Sequence, residues 1–310
     1  MGIGSWVYQL RRTCANGPRA SFYREVVRRR ILRTPPIEGL TDARCDIHVL
    51  TSREDWLNLI WTLKSFYAAS GRNYKLCIHD DGTLDQAAKR EVSRQFPDAR
   101  LIDSETANRE VLLKLEAYPR CRTFRQTNLL AKKVFDFRHY LQSERLLLLD
   151  SDVLFFSAPS ELLHRLEAPE YVRNSVNADV ASALTVDSRD VRNLLGLELP
   201  ERFNSGLGVI HGQSLRLDWI EEFLGLPGVL NHSWRIEQTL LALCSARWGV
   251  ELLPNEYCVS LKPGVGGCVA KHYVGAVRHL MYSEGIAQLA RQGLLKSRFQ
   301  PRAMDVVSAS

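Results

Sequence analysis

Cysteine is scarce and unpatterned in this chain, with seven among 310 residues. No two form a CxxC pair, so neither a zinc knuckle nor a disulfide framework is encoded. Reduced thiols in a reducing compartment are expected. Long apolar runs are also missing. The four leucines at 146–149 stop at an aspartate, far short of the roughly 20 residues that a membrane-spanning helix needs. Arg11 and Arg12 lead into a polar stretch and not an apolar one, so no secretory leader is expected. Repeats and low-complexity tracts are absent as well. Hydrophobic residues at 45% and charged residues at 25% exclude disordered and collagen-like classes.

The net charge of +6 is concentrated in one place. Residues 1–44 carry nine arginines, no lysine and three acidic residues, and the rest of the chain is neutral. A nucleic-acid binder would carry its basic face on the folded body, so nucleic acid is not an expected partner. Phe22, Tyr23, Val26, Val27 and Ile31 fall at helical spacing in this arm, flanked by Arg24, Arg28, Arg29 and Arg30. Three readings are open: a basic amphipathic helix on an anionic membrane, a solvated or core-packed helix, and a transit peptide. Thr34-Pro35-Pro36 ends the helix. A cytoplasmic protein, peripheral at the inner membrane face, is the expectation.

From residue 45 the pattern alternates. Strands are expected over 45–50, 74–78, 100–102, 145–149, 179–184, 206–211, 250–253 and 271–274, and helices over 54–70, 84–96, 127–140, 215–224 and 236–244. Such alternation makes an α/β fold with a mostly parallel sheet flanked by helices. Ligands in such folds bind beyond the C-terminal ends of the strands. The expected division is a basic arm (1–44), a catalytic domain (45–292) and a tail (293–310).

The leucine run delivers Asp150-Ser151-Asp152 to that edge. Two carboxylates this close repel unless a cation lies beside them, and hard oxygen ligands suit Mn²⁺ or Mg²⁺. Haloacid-dehalogenase phosphatases present a similar hydrophobic-DxD, with the first aspartate as nucleophile. Their motif ends the first strand, whereas here three strands precede it.

The stretch more closely resembles the DxD of metal-dependent GT-A glycosyltransferases. Within them the chain is similar to the retaining family of glycogenin and the bacterial lipopolysaccharide galactosyl- and glucosyltransferases (glycosyltransferase family eight). Further landmarks follow in that family's order. Lys133, with Lys132 as its neighbour, lies on the helix before the DxD strand, where the family has a basic residue touching the donor. Phe203-Asn204-Ser205-Gly206 resembles its FNSG segment. Glu237-Gln238 stands where the family has Asp-Gln, with glutamate as a departure. His272-Tyr273-Val274-Gly275-Ala276-Val277-Arg278 resembles HxxGxxK, with arginine replacing lysine.

The resemblance covers about residues 45–285 and implies a GT-A fold, a UDP-sugar donor and transfer of a hexose to an acceptor hydroxyl, with retention. It implies that Asp150, Asp152 and His272 hold the metal, and that Lys133 and Arg278 neutralise the diphosphate. Ser151, Asn204, Ser205, Gly206 and Gly275 would line the donor, Leu50, Thr51, Ser52 and the acidic loop at Asp80 and Asp81 would frame the nucleoside, and Glu237 or Gln238 would steady the reacting centre. The acceptor would be a glycan, a lipid-linked glycan or a protein. A phosphatase using Asp150 as nucleophile and a non-catalytic nucleotide-sugar-binding module are the alternatives. The other histidines, including His48, His79 and His211, read as structural.

Overall fold

Strands delivering the leucine run and its neighbours are buried on both faces, and the alternation of β4 shows how. In this computed structural model, which describes residues 16–41 and 43–296, the strands are β1 (Cys45–Thr51), β2 (Leu76–Asp80), β3 (Arg100–Ile102), β4 (Arg145–Leu149), β5 (Val153–Phe155), β6 (Asn174–Ala178), β7 (Phe203–His211), β8 (Val250–Leu252), β9 (Tyr257–Val259) and β10 (Ala270–His272). Three helices matter most for the site: α1 (Trp56–Ser70), α2 (Lys132–Tyr140) and α3 (Ile236–Trp248). Successive strand side chains point to opposite faces. Leu147 and Leu149 therefore join Leu59, Ile60 and Leu63 of α1 in one core layer. Leu146 and Leu148 join Val134 and Phe137 of α2 and Leu240 of α3 in the other.

Seven strands form one sheet in the order β3-β2-β1-β4-β7-β6-β8. β3, β2, β1 and β4 are parallel neighbours, and β8 is parallel to β6. β7 alone runs the other way, antiparallel to both β4 and β6. Its first residues therefore lie at the edge where the other strands end. A smaller sheet, β5-β10-β9, grows from the chain just after Asp152. The expected α/β fold with a mostly parallel, helix-flanked sheet is the one observed.

Several boundaries differ from expectation. Residues 179–184 form a loop, and the strand is β6, one segment earlier. Its sequence, Asn-Ser-Val-Asn-Ala, hides the signal, because its buried Asn174 is satisfied by two serine hydroxyls and a backbone amide. The Asn174 amide donates to the Ser214 and Ser245 hydroxyls at 2.9 and 3.0 Å, and its oxygen accepts from His211 N at 2.8 Å. The helix expected over 127–140 breaks at Asn128, whose side chain accepts from Leu130 N at 2.9 Å and starts a new turn leading into α2. β5 and β9, three residues each, are too short to leave a pattern.

Of the arm, residues 1–15 lie outside the described residues, as do Asp42 and 297–310. From Gly17 to Arg33 the arm is helical, and it packs against α1. Val27 and Ile31 enter the core, while Phe22 and Val26 face out, 50% and 47% exposed. The Trp61 indole donates to Arg28 O at 2.9 Å. Lys64 donates to Thr34 Oγ1 and Pro35 O, both at 2.6 Å. Of the three readings of this segment, core packing describes Val27 and Ile31. No described helix is long and apolar enough to cross a membrane.

Candidate active site

Each of the three elements that build the site is placed by backbone hydrogen bonds. Asp150 leaves β4 with its N–H donating to Gly206 O at 2.8 Å, which ties the DxD to the start of the reversed strand β7. The chain then turns into β5, which pairs antiparallel with β10 so that Val153 faces His272. Tyr273 N donates to Asp152 O at 2.9 Å and closes the corner. His272 Nε2 consequently lies 3.1 Å from Asp152 Oδ1 and 3.9 Å from Asp150 Oδ2. One ligand atom from each of Asp150, Asp152 and His272 lies within 4.8 Å of the others.

Asn204 orients the imidazole. Its amide nitrogen faces the acceptor-only carboxylate of Asp179 at 2.9 Å, and its oxygen accepts from Gly206 N at 3.0 Å. That oxygen is also 2.9 Å from His272 Nδ1. The amide orientation is thus fixed by its other partners, and Nδ1 must be the donor. Nε2 is left aimed at the carboxylates, the arrangement by which an outer-shell carbonyl positions a ligating histidine. Gly206 is needed for close approach, since a Cβ there would stand 2.1 Å from the His272 ring.

On the other side of Asp150 the α2 residue Lys133 is buried. Its Nζ is 2.7 Å from Asp150 Oδ1 and 3.4 Å from Glu237 Oε1, and it donates to Ser205 O at 3.2 Å. Burial alone would lower this ammonium, but the two carboxylates outweigh it and hold its pKa above the usual lysine value. Burial raises the Glu237 carboxyl despite Lys133. Glu237 Oε2 accepts from the Ser205 hydroxyl at 3.1 Å, and Gln238 Oε1 accepts from Ser205 N at 3.2 Å. Lys132, the sequence neighbour left open beside Lys133, points elsewhere. It donates to Asp80 O and Ser104 Oγ at 2.9 and 2.6 Å.

Arg278 bridges Asp152 at 2.7 Å and Asp55 at 3.2 Å. Burial would raise the Asp152 carboxyl, yet His272 and Arg278 together hold it well below the usual carboxylate range. A cavity of about 760 Å³ opens over these groups. Its wall includes most of the residues singled out from the sequence: Leu50, Thr51, Ser52, Asp81, Lys133, Asp150, Ser151, Asp152, Asn204, Ser205, Gly206, Glu237, Gln238, His272, Gly275 and Arg278. Asp80 does not join them. It is buried, pairs with Lys89 at 2.8 Å and accepts from Gly82 N at 2.7 Å, so it shapes the loop that carries Asp81. The Asp81 carboxylate itself accepts from Thr83 N at 2.8 Å.

Two carboxylates and an imidazole converging at an open cavity are a hard, mixed O/N donor set that fits Mn²⁺ or Mg²⁺. No family model matches the chain, and no curated protein matches it. Solved structures do. WbbM, described as a bifunctional glycosyltransferase, superposes with TM-score 0.50 and 13% identity over 77% of this chain and 47% of its own, so this chain spans about half its length. Mouse xyloside xylosyltransferase 1 gives 0.51 and 10% over 75% and 98% of the two chains. The galactosyltransferase LgtC, solved with donor and acceptor sugar analogues, gives 0.50 and 15% over 80% and 95%. These are GT-A glycosyltransferases. The fold is GT-A.

Within this GT-A frame the cavity also has residues that sequence reasoning missed. Asp55, just ahead of α1, anchors Arg278, and Asp179 anchors Asn204. Neither belongs to a motif, and each acts by fixing one that does. Trp234, 76% exposed, stands at the rim beside Arg235. Its position four residues before Gln238 was the one available signal.

Proposed function

We propose that this GT-A protein transfers a hexose from a UDP-sugar to an acceptor hydroxyl, dependent on Mn²⁺ or Mg²⁺ and with retention at the anomeric carbon. The observation that carries the reading is the convergence of Asp150, Asp152 and His272 with Lys133 and Arg278 on one cavity at the C-terminal edge of the sheet. Asp150, Asp152 and His272 would hold the ion. Bound there, it would act as a Lewis acid that stabilises the diphosphate leaving group.

The chain's own groups do the rest. Arg278 offers a planar fork suited to phosphate oxygens, and donor binding would draw it from Asp55. Lys133, 2.7 Å from Asp150, contributes fixed positive charge where negative charge develops. Leu50, Thr51 and Ser52 end β1 at the cavity, where they would frame the nucleoside together with Asp81. Ser151 and Gly275 complete that wall. Glu237 and Gln238, locked by Ser205, would lie against the sugar and steady its oxocarbenium-like centre. The acceptor oxygen would then bond to the anomeric carbon as the phosphate oxygen leaves and takes the acceptor proton. Retention rests on the order of motifs shared with the retaining family.

A phosphatase of the haloacid-dehalogenase type would need Asp150 as nucleophile on a different fold, and a GT-A fold disfavours it. A non-catalytic binding module would keep metal-linked UDP binding and lack turnover. The test is calorimetric titration of UDP with and without Mn²⁺, on the wild type and Asp152→Asn. Binding that requires Mn²⁺ and vanishes in Asp152→Asn is expected. UDP binding that ignores both metal and variant would refute the donor site. Proton NMR of the product from a UDP-sugar panel then separates transfer from mere binding, and retention from inversion.

A further inference from the structure

A second cavity, of about 580 Å³, lies beside the first and shares Asp55, Gly275 and Arg278 with it. Its outer wall is the basic arm, which contributes Arg28 and Arg29, and Arg53 closes it from the turn after β1. The charges on this wall are unbalanced. Of its carboxylates, Glu25 is paired with Arg24 at 2.7 Å and Asp55 with Arg278 at 3.2 Å, leaving Glu54. Among the described residues, neither Arg28 nor Arg29 has a carboxylate within ion-pair distance, and the nearest to Arg53 is Asp85 at 3.9 Å.

The Arg28 guanidinium is nonetheless held in place. Nη1 donates to Asn58 Oδ1 at 2.9 Å, Nε donates to Arg24 O at 3.1 Å, and the group lies 5.4 Å over the Tyr282 ring. All three partners are neutral, and burial lowers its pKa. A cation fixed by neutral hydrogen-bond partners at a cavity wall is preorganised, and among the described residues its nearest carboxylate influence, Glu25, is already paired with Arg24. Arg278 adds to this, since its Nε is buried without a partner.

We propose that this cavity is a second anion subsite that takes a phosphate-bearing ligand on Arg28, Arg29 and Arg53. Planar guanidinium forks match phosphate oxygens and are the strong form of such contacts. Because Arg278 and Asp55 belong to both cavities, occupancy of one alters the charge available to the other. Only that coupling rests on the donor reading above; the subsite itself does not.

The test is calorimetric titration of inorganic pyrophosphate into the full chain in EDTA, where no metal can recruit it to Asp150 and Asp152. Saturable, salt-sensitive binding is expected, weakened at least tenfold in Arg28→Met and in Arg29→Glu. Mn²⁺-dependent UDP binding should stay within about twofold in both. Arg29 is exposed, so its variant keeps the test valid should Arg28→Met fail to fold. Absence of binding at millimolar pyrophosphate, or binding indifferent to both variants, overturns the proposal. Arginine-dependent pyrophosphate binding in a protein that never binds UDP would uphold the subsite and refute the donor reading alone. Sedimentation with phosphatidylglycerol vesicles separates the sources of phosphate. Vesicle binding that pyrophosphate competes away and Arg29→Glu abolishes assigns a lipid headgroup, and vesicle indifference beside intact pyrophosphate binding assigns a soluble phosphate compound. Either upholds the subsite.

Discussion

Asn204 touches no carboxylate of the candidate metal group, yet it decides where the imidazole points. With Asp179 and Gly206 N fixing its amide, replacing it by alanine frees His272 to rotate without changing any ligand. Loss of such an outer-shell partner commonly costs 10–100-fold in metal affinity. Asn204→Ala is therefore expected to weaken Mn²⁺ binding by about that factor, read by electron paramagnetic resonance, with little change in far-ultraviolet circular dichroism. Gly206→Ala should act more severely. Its Cβ would meet the His272 ring at 2.1 Å, so the ring must leave the site, and Mn²⁺ affinity should fall further than in Asn204→Ala. Equal affinity in wild type and Gly206→Ala would show that His272 is no ligand.

Among the elements, the arm helix makes the clearest stability prediction. Ile31 is fully buried in the layer that α1 shares with β4. Ile31→Ala should cost about 2–5 kcal/mol in urea unfolding, whereas Val26→Ala on the exposed side should lie within about 0.5 kcal/mol of wild type. Legibility in the sequence followed the same division. Elements dense in apolar residues, such as β1, β4 and α1, were readable, because burial on nearly every side leaves a compact apolar run in the sequence. β6 was not, since its run is polar and its buried Asn174 is satisfied by Ser214, Ser245 and His211, far along the chain. The motif residues of the site were legible because close packing of charge and backbone restricts residue type at each one. Asp55 and Asp179 were not, because any chain position that reaches Arg278 or Asn204 with a carboxylate would serve.

For the molecule as a whole, pH enters through buried imidazoles. His48 and His79 sit 3.0 Å apart, fully buried against Phe137. Burial, with Arg100 adding to it, pushes His48 down to about 3, and burial drives His79 the same way. The unfolded chain takes up a proton near pH 6.5 that the folded chain refuses until about 3. Stability is thus full above about pH 6.5, falls as pH drops through that window, and levels off below it, with at most about 5 kcal/mol from His48. Urea midpoints measured from pH 7 to pH 4 should fall steadily, and a flat series would contradict the buried neutral pair. The Asp55–Arg278 bridge spans 223 residues and the Arg278–Asp152 bond 126. On a ribosome, which releases the N-terminal end first, Asp150 and its partner Lys133 emerge together, but Asp55 and Asp152 emerge long before the histidine and arginine that pair with them. Charge balance at the cavity edge therefore waits until the chain is nearly complete. Metal uptake should accordingly report completion of the chain, and nascent chains ending before β10 should show none.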